Sequence, residues 1–401
     1  MLFGWPGLFV LFAGGFHQDV LPILRRHCIK CHQQGGIAPM ALDTYEQARP
    51  WAKAIRESTL RRKMPPWFVE QSSVRFENEA RLSDAEIAAI DRWVRDGALP
   101  GSAPEIKAAK TPAGLSPADL VISMPEPVHV PARGELPYQF IILPQQFPEE
   151  RWVRGVEVRP GAARVVHHAV VYVRERESNW LRGLPPGRPF SGGGVTQSDI
   201  LAVYAPGQAP AVFPEGMAKK IPAGADLVLQ MHYTPSGNAL FDRTAVAIQF
   251  HRDRVERRVL TLQIATTHFL IPAGEPDHRV TASGTLPNDS MLLGLFPHMH
   301  LRGKAFEYAL IEPGGQVETL LRVKPYDFHW QLDYRLAKPR LLRKGTRLRC
   351  TAWYDNSVNN PRNPDPGADV RYGEPSGAEM MVGFFDVAVP SWMDKNAFFL
   401  R

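Results

Sequence analysis

The chain has 401 residues, of which 44% are hydrophobic and 22% are charged, and its formal net charge at pH 7 is +6. This length allows two or three domains, and the composition is that of a globular protein. The charge is small for the length, and acidic residues or prolines interrupt the basic clusters at 61–63 and 252–258. We therefore exclude a nucleic-acid-binding protein.

The first apolar run, LFGWPGLFVLFAGG, spans residues 2–15 and ends in small residues. It is too short to cross a bilayer, and it resembles the end of a secretory signal peptide that lacks the usual basic start. A buried helix is the alternative. We expect residues 1–15 to be a signal peptide with a truncated start, and we expect no transmembrane span in the mature chain.

The next segment, HCIKCH, contains the C-x-x-C-H motif formed by Cys28, Cys31 and His32. In c-type haem proteins the two thiols bind the haem vinyl groups, and the histidine becomes the proximal iron ligand. A thioredoxin-like redox pair is the alternative, but that chemistry does not need His32. We predict one covalent haem c. Because this haem is attached outside the cytoplasm, we also predict a periplasmic or secreted protein.

Helices are predicted around this motif, within residues 16–104. The first lies in HQDVLPILRR. Two capping boxes, Thr44 with Gln47 and Ser83 with Glu86, mark the starts of two more helices. Three helices around a haem are typical of a small all-α cytochrome c domain, which we therefore predict here.

The sixth iron ligand is predicted to be a thioether or an imidazole. Met64, in RRKMPPWF, is the preferred candidate, because two prolines fix the backbone after it and Trp67 can pack against the macrocycle. Met40 is the alternative, but it follows His32 so closely that the chain has only a short path around the haem edge. For both methionines, simple core packing remains the other interpretation.

The hydrophobic period changes to two after residues 105–118, a Pro/Ala/Lys linker that we expect to be semi-rigid. Turn residues separate the strand-like segments, which are YQFIIL, VEVRP, HHAVVYV, DLVLQMHY, TAVAIQF, SMLLGLF, FEYALIEP, RLRCTAWY and MMVGFFDVAV. This spacing is typical of antiparallel β-sandwiches or barrels. The length accommodates two sandwiches, at residues 119–256 and 257–395.

Five of the 13 histidines occupy positions that suggest metal binding. His298 and His300 are two residues apart, so both can point to one face of a strand and bind one metal. His167 and His168 are adjacent, so they can bind one ion only if their strand is bulged or ends there. His232 lies on another predicted strand. Each histidine can also be purely structural, and copper, zinc, iron and nickel are the candidate metals.

Four segments, VVHHAVVYV, VLQMHYTPSG, PHMHLRG and GAEMMVGFF, occur in the order and approximate spacing of a known family. They resemble the copper type II, ascorbate-dependent monooxygenases, which include peptidylglycine α-hydroxylating monooxygenase and dopamine β-hydroxylase. The resemblance covers residues 119–395. It implies two jelly-roll-like sandwiches with a wet cleft between them. The N-terminal haem segment is absent from those two enzymes but is similar to bacterial fusions of a cytochrome c with this copper core.

The resemblance also implies two copper sites. The ligands of the electron-transferring copper correspond to His167, His168 and His232. The ligands of the copper that binds dioxygen beside the substrate correspond to His298, His300 and Met380, which are the predicted catalytic residues. A thioether ligand favours Cu(I), the form that reacts with dioxygen. A core methionine is the alternative for Met380.

Several positions differ from the peptide-amidating member of the family. Phe296 replaces the arginine that binds a peptide carboxylate, and Val382 and Phe384 replace an asparagine and a tyrosine. Cys350 corresponds to a disulfide cysteine whose partner position is Met381 here, so we expect Cys350 to be a free, buried thiol. These differences argue against peptide amidation, and they leave the predicted copper ligands intact.

The resemblance therefore implies a haem- and copper-containing monooxygenase that hydroxylates a C–H bond with dioxygen. The expected partners are a small-molecule or lipid-like substrate and an external electron donor, either ascorbate or a redox protein. The haem is expected to reduce the coppers again after each turnover. One alternative is an extracytoplasmic electron-transfer or copper-binding protein that has lost hydroxylase activity. Another is a β-sandwich pair that serves only as a docking module.

Overall fold

The computed structural model describes residues 15–102, 114–194, 196 and 198–398. The chain forms two compact units. The smaller unit contains Met1–Trp67 and Ala80–Pro112, and the larger unit contains Phe68–Glu79 and Ala113–Arg401. The predicted signal peptide, apart from residue 15, and the linker residues 105–113 lie outside the described residues.

The smaller unit is helical. Its helices, in chain order, are a π-helical turn Phe16–Val20, α1 (Leu21–His27), α2 (Tyr45–Ala48), a 3-10 turn Arg49–Trp51, α3 (Ala52–Leu60) and α4 (Asp84–Arg95). Both predicted capping boxes are confirmed, at Thr44 and at Ser83. The helix predicted after Thr44 is interrupted between α2 and α3, where Pro50 lacks the N–H that a continuous α-helix needs.

Apolar side chains from these helices form the core of the smaller unit. Phe16, Leu24, Ile90 and Trp93 are fully buried there. The last helix ends before Gly97, whose φ of +93° is accessible to glycine at little cost. Within the described residues, no helix is both long enough and apolar enough to cross a membrane.

The larger unit is built from strands, which confirms the predicted all-β character of this region. The first strands are β1 (Val69–Gln71), β2 (Leu120–Ser123), β3 (Val128–Val130), β4 (Gln139–Gln146), β5 (Arg151–Arg159), β6 (Val166–Arg174), β7 (Asp199–Tyr204), β8 (Ala211–Val212), β9 (Met217–Ile221), β10 (Asp226–Tyr233), β11 (Leu240–Asp242) and β12 (Ala245–Phe250). The remaining strands are β13 (Arg257–Ala265), β14 (Leu270–Ile271), β15 (His278–Thr285), β16 (Ser290–His298), β17 (Gly303–Ile311), β18 (Val317–Val323), β19 (Tyr334–Leu342), β20 (Arg347–Tyr354), β21 (Val370–Arg371) and β22 (Val382–Pro390). A 3-10 turn, Lys395–Phe398, follows.

Three large sheets organise these strands. One sheet has the order β4-β10-β6-β7, and a second has the order β1-β18-β17-β20-β15. The third runs β19-β16-β22-β13-β9-β5-β12-β2, with β8 paired to β5. The strand pairs are antiparallel except for β9 with β13, which is parallel. The third sheet therefore continues across residue 256, the predicted boundary between the two sandwiches.

Sheet faces pack against each other to form a sandwich-like core. Ile141 on β4 and Leu229 on β10 belong to the same buried cluster as Val156 on β5 and Ile248 on β12. All four side chains are at most 1% exposed. Because alternate strand residues share a face, the period-two pattern of the sequence supplies these apolar faces.

A short segment that precedes α4 in sequence belongs to the larger unit. Strand β1 pairs antiparallel with β18, Glu77 forms an ion pair with Arg335 at 3.0 Å, and the Phe76 ring contacts Tyr334 at 5.6 Å between centroids. The domain predicted at residues 16–104 is therefore not continuous in the structure, since residues 68–79 lie in the β-rich unit.

Candidate metal centres

A β-bulge places two adjacent histidines on the same side of strand β6. His168 pairs with His232 on β10, and the next paired positions are Val166 and Tyr233, so His167 is an extra residue in its strand. An extra residue locally breaks the alternation of side chains between the two faces. Of the two arrangements that the sequence analysis allowed for shared binding by His167 and His168, a bulge or a strand end, the structure has the bulge.

His167, His168 and His232 form a compact group, which we call the first cluster. The Nδ1 atom of His168 lies 3.1 Å from Nδ1 of His167 and 3.3 Å from Nδ1 of His232. One ring nitrogen from each residue lies within 4.8 Å of the others. Nitrogen atoms that converge in this way suit one metal ion of the imidazole-binding type.

The first cluster is buried and electrically neutral. Each ring is at most 7% exposed. Burial lowers the pKa of His167 to about 3 and lowers the pKa values of His168 and His232 well below their usual range. His232 Nε2 lies 3.3 Å from Ser376 Oγ, which leaves Nδ1 to face the other two rings. At neutral pH the three imidazoles therefore offer lone pairs to a cation and carry no positive charge to repel it.

The sequence analysis predicted a second site at His298, His300 and Met380, and we call these three residues the second cluster. Strand β16 ends at His298, so His300 lies in the following turn and not on the strand as expected. The two rings are still neighbours, with 5.2 Å between their centroids. Met380 lies just before β22, and its half-buried side chain lines the same cavity as His298. Met381 is fully buried in the core.

Hydrogen bonds orient both imidazoles of the second cluster. His300 Nδ1 lies 3.2 Å from the carbonyl oxygen of Ala378, so Nδ1 must carry the proton, because a carbonyl can only accept. Its Nε2 atom is buried and has no hydrogen-bond partner among the described residues. His298 Nδ1 lies 2.6 Å from Gln331 Oε1. Burial lowers the pKa of His298 to about 4 and that of His300 to about 3. A metal ion would satisfy the lone pair on His300 Nε2.

Glu379 holds the turn of the second cluster, and sequence reasoning missed it. Its carboxylate accepts backbone N–H bonds from His300 at 2.9 Å, Arg302 at 2.6 Å and Met380 at 3.3 Å. Burial raises the pKa of Glu379 to about 8, against the opposing effect of these donors and of the Arg302 guanidinium. This single side chain therefore joins the backbone at His300 to the backbone at Met380. The sequence feature that could have pointed to Glu379 is its position directly before Met380, the predicted methionine ligand.

The two clusters adjoin each other. The rings of His168 and His298 are 5.6 Å apart between centroids, and the Phe328 ring stacks on His167 at 4.4 Å. All five histidines are at most 7% exposed, so the two clusters are shielded from bulk solvent. His329, which the sequence analysis did not single out, is exposed, and its ring lies 5.6 Å from that of His167.

A cavity of about 420 Å³ opens beside both clusters, with His168, His298 and Met380 in its wall. Its apolar lining includes Leu260, Leu262, Phe296, Phe384 and Phe398. Its polar lining includes Tyr138, Tyr172, Gln230, Tyr372 and Glu374. This volume suits a small organic molecule. The two phenylalanines that replace polar residues of the amidating enzyme lie 6.0 Å apart in this lining.

The predicted haem residues Cys28, Cys31, His32 and Met64 all belong to the smaller unit. Cys28 and Cys31 are partly buried, and burial raises the pKa of Cys28 to about 12 and that of Cys31 to about 11. His32 Nδ1 donates to the carbonyl oxygen of Met40 at 3.2 Å, which leaves Nε2 free for a metal. This donor set fits the haem motif. Met64 is half-buried, and its role as the sixth ligand stays a prediction.

Cys350 is fully buried on β20 and is free, as predicted. It packs against the backbone of Gly383, where a Cβ atom would lie only 2.4 Å from the cysteine sulfur. Burial raises the pKa of the Cys350 thiol well above its usual range. This residue is therefore an inert part of the core.

No family model matches the chain, and no curated protein matches it. Solved structures with some similarity include PNGF-II, with 10% identity, a TM-score of 0.29 and coverage of 68% of this chain and 65% of that chain. The VP2 subviral particle of infectious bursal disease virus has 9% identity, a TM-score of 0.21 and coverage of 71% and 74%. Allantoicase has 10% identity, a TM-score of 0.17 and coverage of 57% and 81%. At these TM-scores the similarities carry no argument about fold or function.

Proposed function

We propose that the larger unit is a copper-dependent monooxygenase, which inserts one oxygen atom of dioxygen into a C–H bond of an organic substrate. The observation that carries this proposal is the first cluster, in which three buried, neutral imidazoles converge. Such a donor set accepts several transition metals. The resemblance of the four sequence segments to the copper monooxygenases selects copper among them.

The second cluster supports the same proposal. Its two imidazoles have their Nδ1 atoms engaged by other groups, and His300 Nε2 is buried without a partner among the described residues. The thioether of Met380 beside them favours Cu(I). When bound, copper supplies the one-electron steps that the reduction of dioxygen requires. In this scheme His167, His168 and His232 hold the electron-transferring ion, and His298, His300 and Met380 hold the ion beside the substrate.

The cavity next to Met380 is the proposed substrate site. Phe296 and Phe384 contact the hydrocarbon part of the substrate and exclude water from the reacting C–H bond. Gln230 also lines the cavity and accepts a hydrogen bond from the Tyr172 hydroxyl at 3.4 Å. Its amide offers polar atoms to the substrate. The imidazoles remain unprotonated at neutral pH, so they bind and orient and do not donate protons. This lining favours a predominantly apolar small molecule.

The smaller unit is proposed to be a cytochrome c domain that supplies electrons to the coppers. Cys28, Cys31 and His32 attach one haem, and the bond from His32 Nδ1 to Met40 directs Nε2 toward the iron. Met64 is the proposed sixth ligand. Covalent haem attachment then places the protein in the periplasm or outside the cell, where ascorbate or a redox protein is the external donor.

One observation favours a second candidate function. Phe296 and Phe384 place apolar rings where the amidating enzyme binds its substrate with polar groups. An extracytoplasmic electron-transfer or copper-binding protein without hydroxylase activity is compatible with that lining. The proposed experiment separates the two candidates.

The experiment begins with the full chain, matured in a host that attaches haem c and then loaded with copper. We expect one iron and about two copper ions per chain by metal analysis. Oxygen uptake is then measured with ascorbate and a panel of apolar substrates under ¹⁸O₂. A monooxygenase incorporates the label into product, and His298→Ala abolishes this incorporation, whereas His251→Ala, outside both clusters, keeps it. Two bound coppers without incorporation support the electron-transfer alternative, and absence of bound copper contradicts both candidates.

A further inference from the structure

One loop between β18 and β19 contacts both clusters. We call residues 326–331, with the sequence YDFHWQ, the bridging loop. The Tyr326 hydroxyl accepts the N–H of Met299 at 2.9 Å and donates to its carbonyl at 3.0 Å, which holds the backbone between His298 and His300. The Phe328 ring stacks on His167 with 22° between the ring planes.

Gln331 ends this loop and faces His298. Its side chain is buried, and its Nε2 donates to the carbonyl oxygen of Phe328 at 3.0 Å. Only the amide NH₂ can donate to a carbonyl, so the amide oxygen must be the atom that faces His298 Nδ1, at 2.6 Å. An oxygen acceptor at that distance requires a proton on Nδ1. The lone pair of His298 is therefore on Nε2.

We propose that Gln331 is a positioning residue for the second cluster: it fixes the tautomer and the ring orientation of His298, so that Nε2 is the metal-binding atom. This inference depends on the proposed function in one respect, which is that the bound metal is copper. Among the described residues, the Gln331 side chain bonds directly to a candidate ligand of the second cluster only. Gln331 bonds to His298, whereas the Nδ1 atoms of the first cluster face one another and have no amide partner.

The expected loss of metal affinity in Gln331→Leu follows from the hydrogen bond that this substitution removes. Without Gln331, the buried Nδ1–H of His298 loses its acceptor, and the ring can adopt the other tautomer, in which Nε2 carries the proton. Metal binding then requires a change of tautomer and a rotation of the ring. Removal of such an outer partner of a metal-binding histidine typically lowers metal affinity about 10- to 100-fold.

The first test measures Cu(I) affinity by competition with a chromophoric chelator. Gln331→Leu should lower the affinity of the second cluster about 10- to 100-fold, while the first cluster changes by about twofold or less. Gln331→Glu keeps an oxygen facing Nδ1 and should restore most of the affinity. Gln263→Leu, on the cavity wall but not bonded to any candidate ligand, is the matched control and should bind as the unaltered chain does.

The second test reads the tautomer directly in the unaltered, metal-free chain. Histidine labelled with ¹⁵N shows which ring nitrogen carries the proton, and the signal lost in His298→Ala assigns the residue. A proton on Nδ1 is expected. A proton on Nε2 overturns the inference whether or not Gln331→Leu folds, and so does an unchanged affinity in a folded Gln331→Leu. If the unaltered chain binds no copper, the proposed function fails, while the tautomer measurement still decides the role of Gln331.

Discussion

The first cluster takes all three imidazoles from two paired strands, whereas the second takes its candidate ligands from a strand end, the turn after it and the segment just before β22. A bulge and a regular ladder are enough to bring His167, His168 and His232 together. The second cluster also needs groups from other parts of the chain, because Gln331, Ala378 and Glu379 orient its histidines.

This difference indicates how each site should respond to substitution. Backbone hydrogen bonds between β6 and β10 hold the first cluster, so changes outside its three ligands should have small effects. Side-chain hydrogen bonds hold the second cluster, so changes to its outer partners should be costly, since a buried group that loses its partner destabilises the arrangement. Substitutions in and around the two clusters test this difference.

The largest expected effect comes from removal of a ligand. His168→Ala should remove about one copper per chain and leave the second cluster filled, and His298→Ala should do the reverse, because we propose that each cluster binds a separate ion. Metal analysis together with the EPR spectrum of the remaining Cu(II) checks this. Loss of both coppers from either variant contradicts two independent sites. Bound zinc in protein expressed with ample copper contradicts copper sites altogether.

A smaller but selective effect is expected from Met380→Leu. Leucine keeps the volume but removes the thioether, so the Cu(I) affinity of the second cluster should fall about tenfold or more, with a much smaller change for Cu(II). The first cluster, which has no sulfur ligand, should be unaffected. Equal losses for Cu(I) and Cu(II) argue that Met380 is a core residue and not a ligand. The matched control is Met381→Leu, at the fully buried neighbouring position.

Glu379→Gln should weaken the second cluster moderately. Glutamine offers one acceptor oxygen, so at least one of the N–H groups of His300, Arg302 and Met380 loses its partner. We expect about a fivefold loss of Cu(I) affinity at the second cluster and no loss at the first. Glu374→Gln, on the cavity wall, is the control. A loss shared equally by both clusters indicates general destabilisation and contradicts a local role for Glu379.

The smallest effect is expected from Ser376→Ala, in the outer shell of the first cluster. The contact between Ser376 Oγ and His232 Nε2 is long, at 3.3 Å, and the strands already place His232. The Cu(I) affinity of the first cluster should fall by about twofold. The same chelator competition measures it. If Ser376→Ala lowers the Cu(I) affinity of the first cluster as much as Gln331→Leu lowers that of the second, the two clusters do not differ in their dependence on neighbouring side chains.

Patterns local in sequence were sufficient for many features. The capping boxes at Thr44 and Ser83 and the strands that carry His167, His168 and His232 all follow from short windows. The need for a bulge or a strand end at His167 also follows locally, because two adjacent residues within a regular strand cannot share a face. These features depend on backbone sterics and on hydrogen bonds between near neighbours.

Contacts between residues far apart in the chain depend on the tertiary structure. The contact of His168 with His298, the bond from Gln331 to His298 and the placement of residues 68–79 in the larger unit join positions far apart in the chain. No short pattern specifies such contacts, since they depend on the order and register of strands in the sheets. The sequence by itself therefore determined the candidate ligands. The packing of the sheets brings the two clusters next to each other. It also places the side chains that orient their histidines.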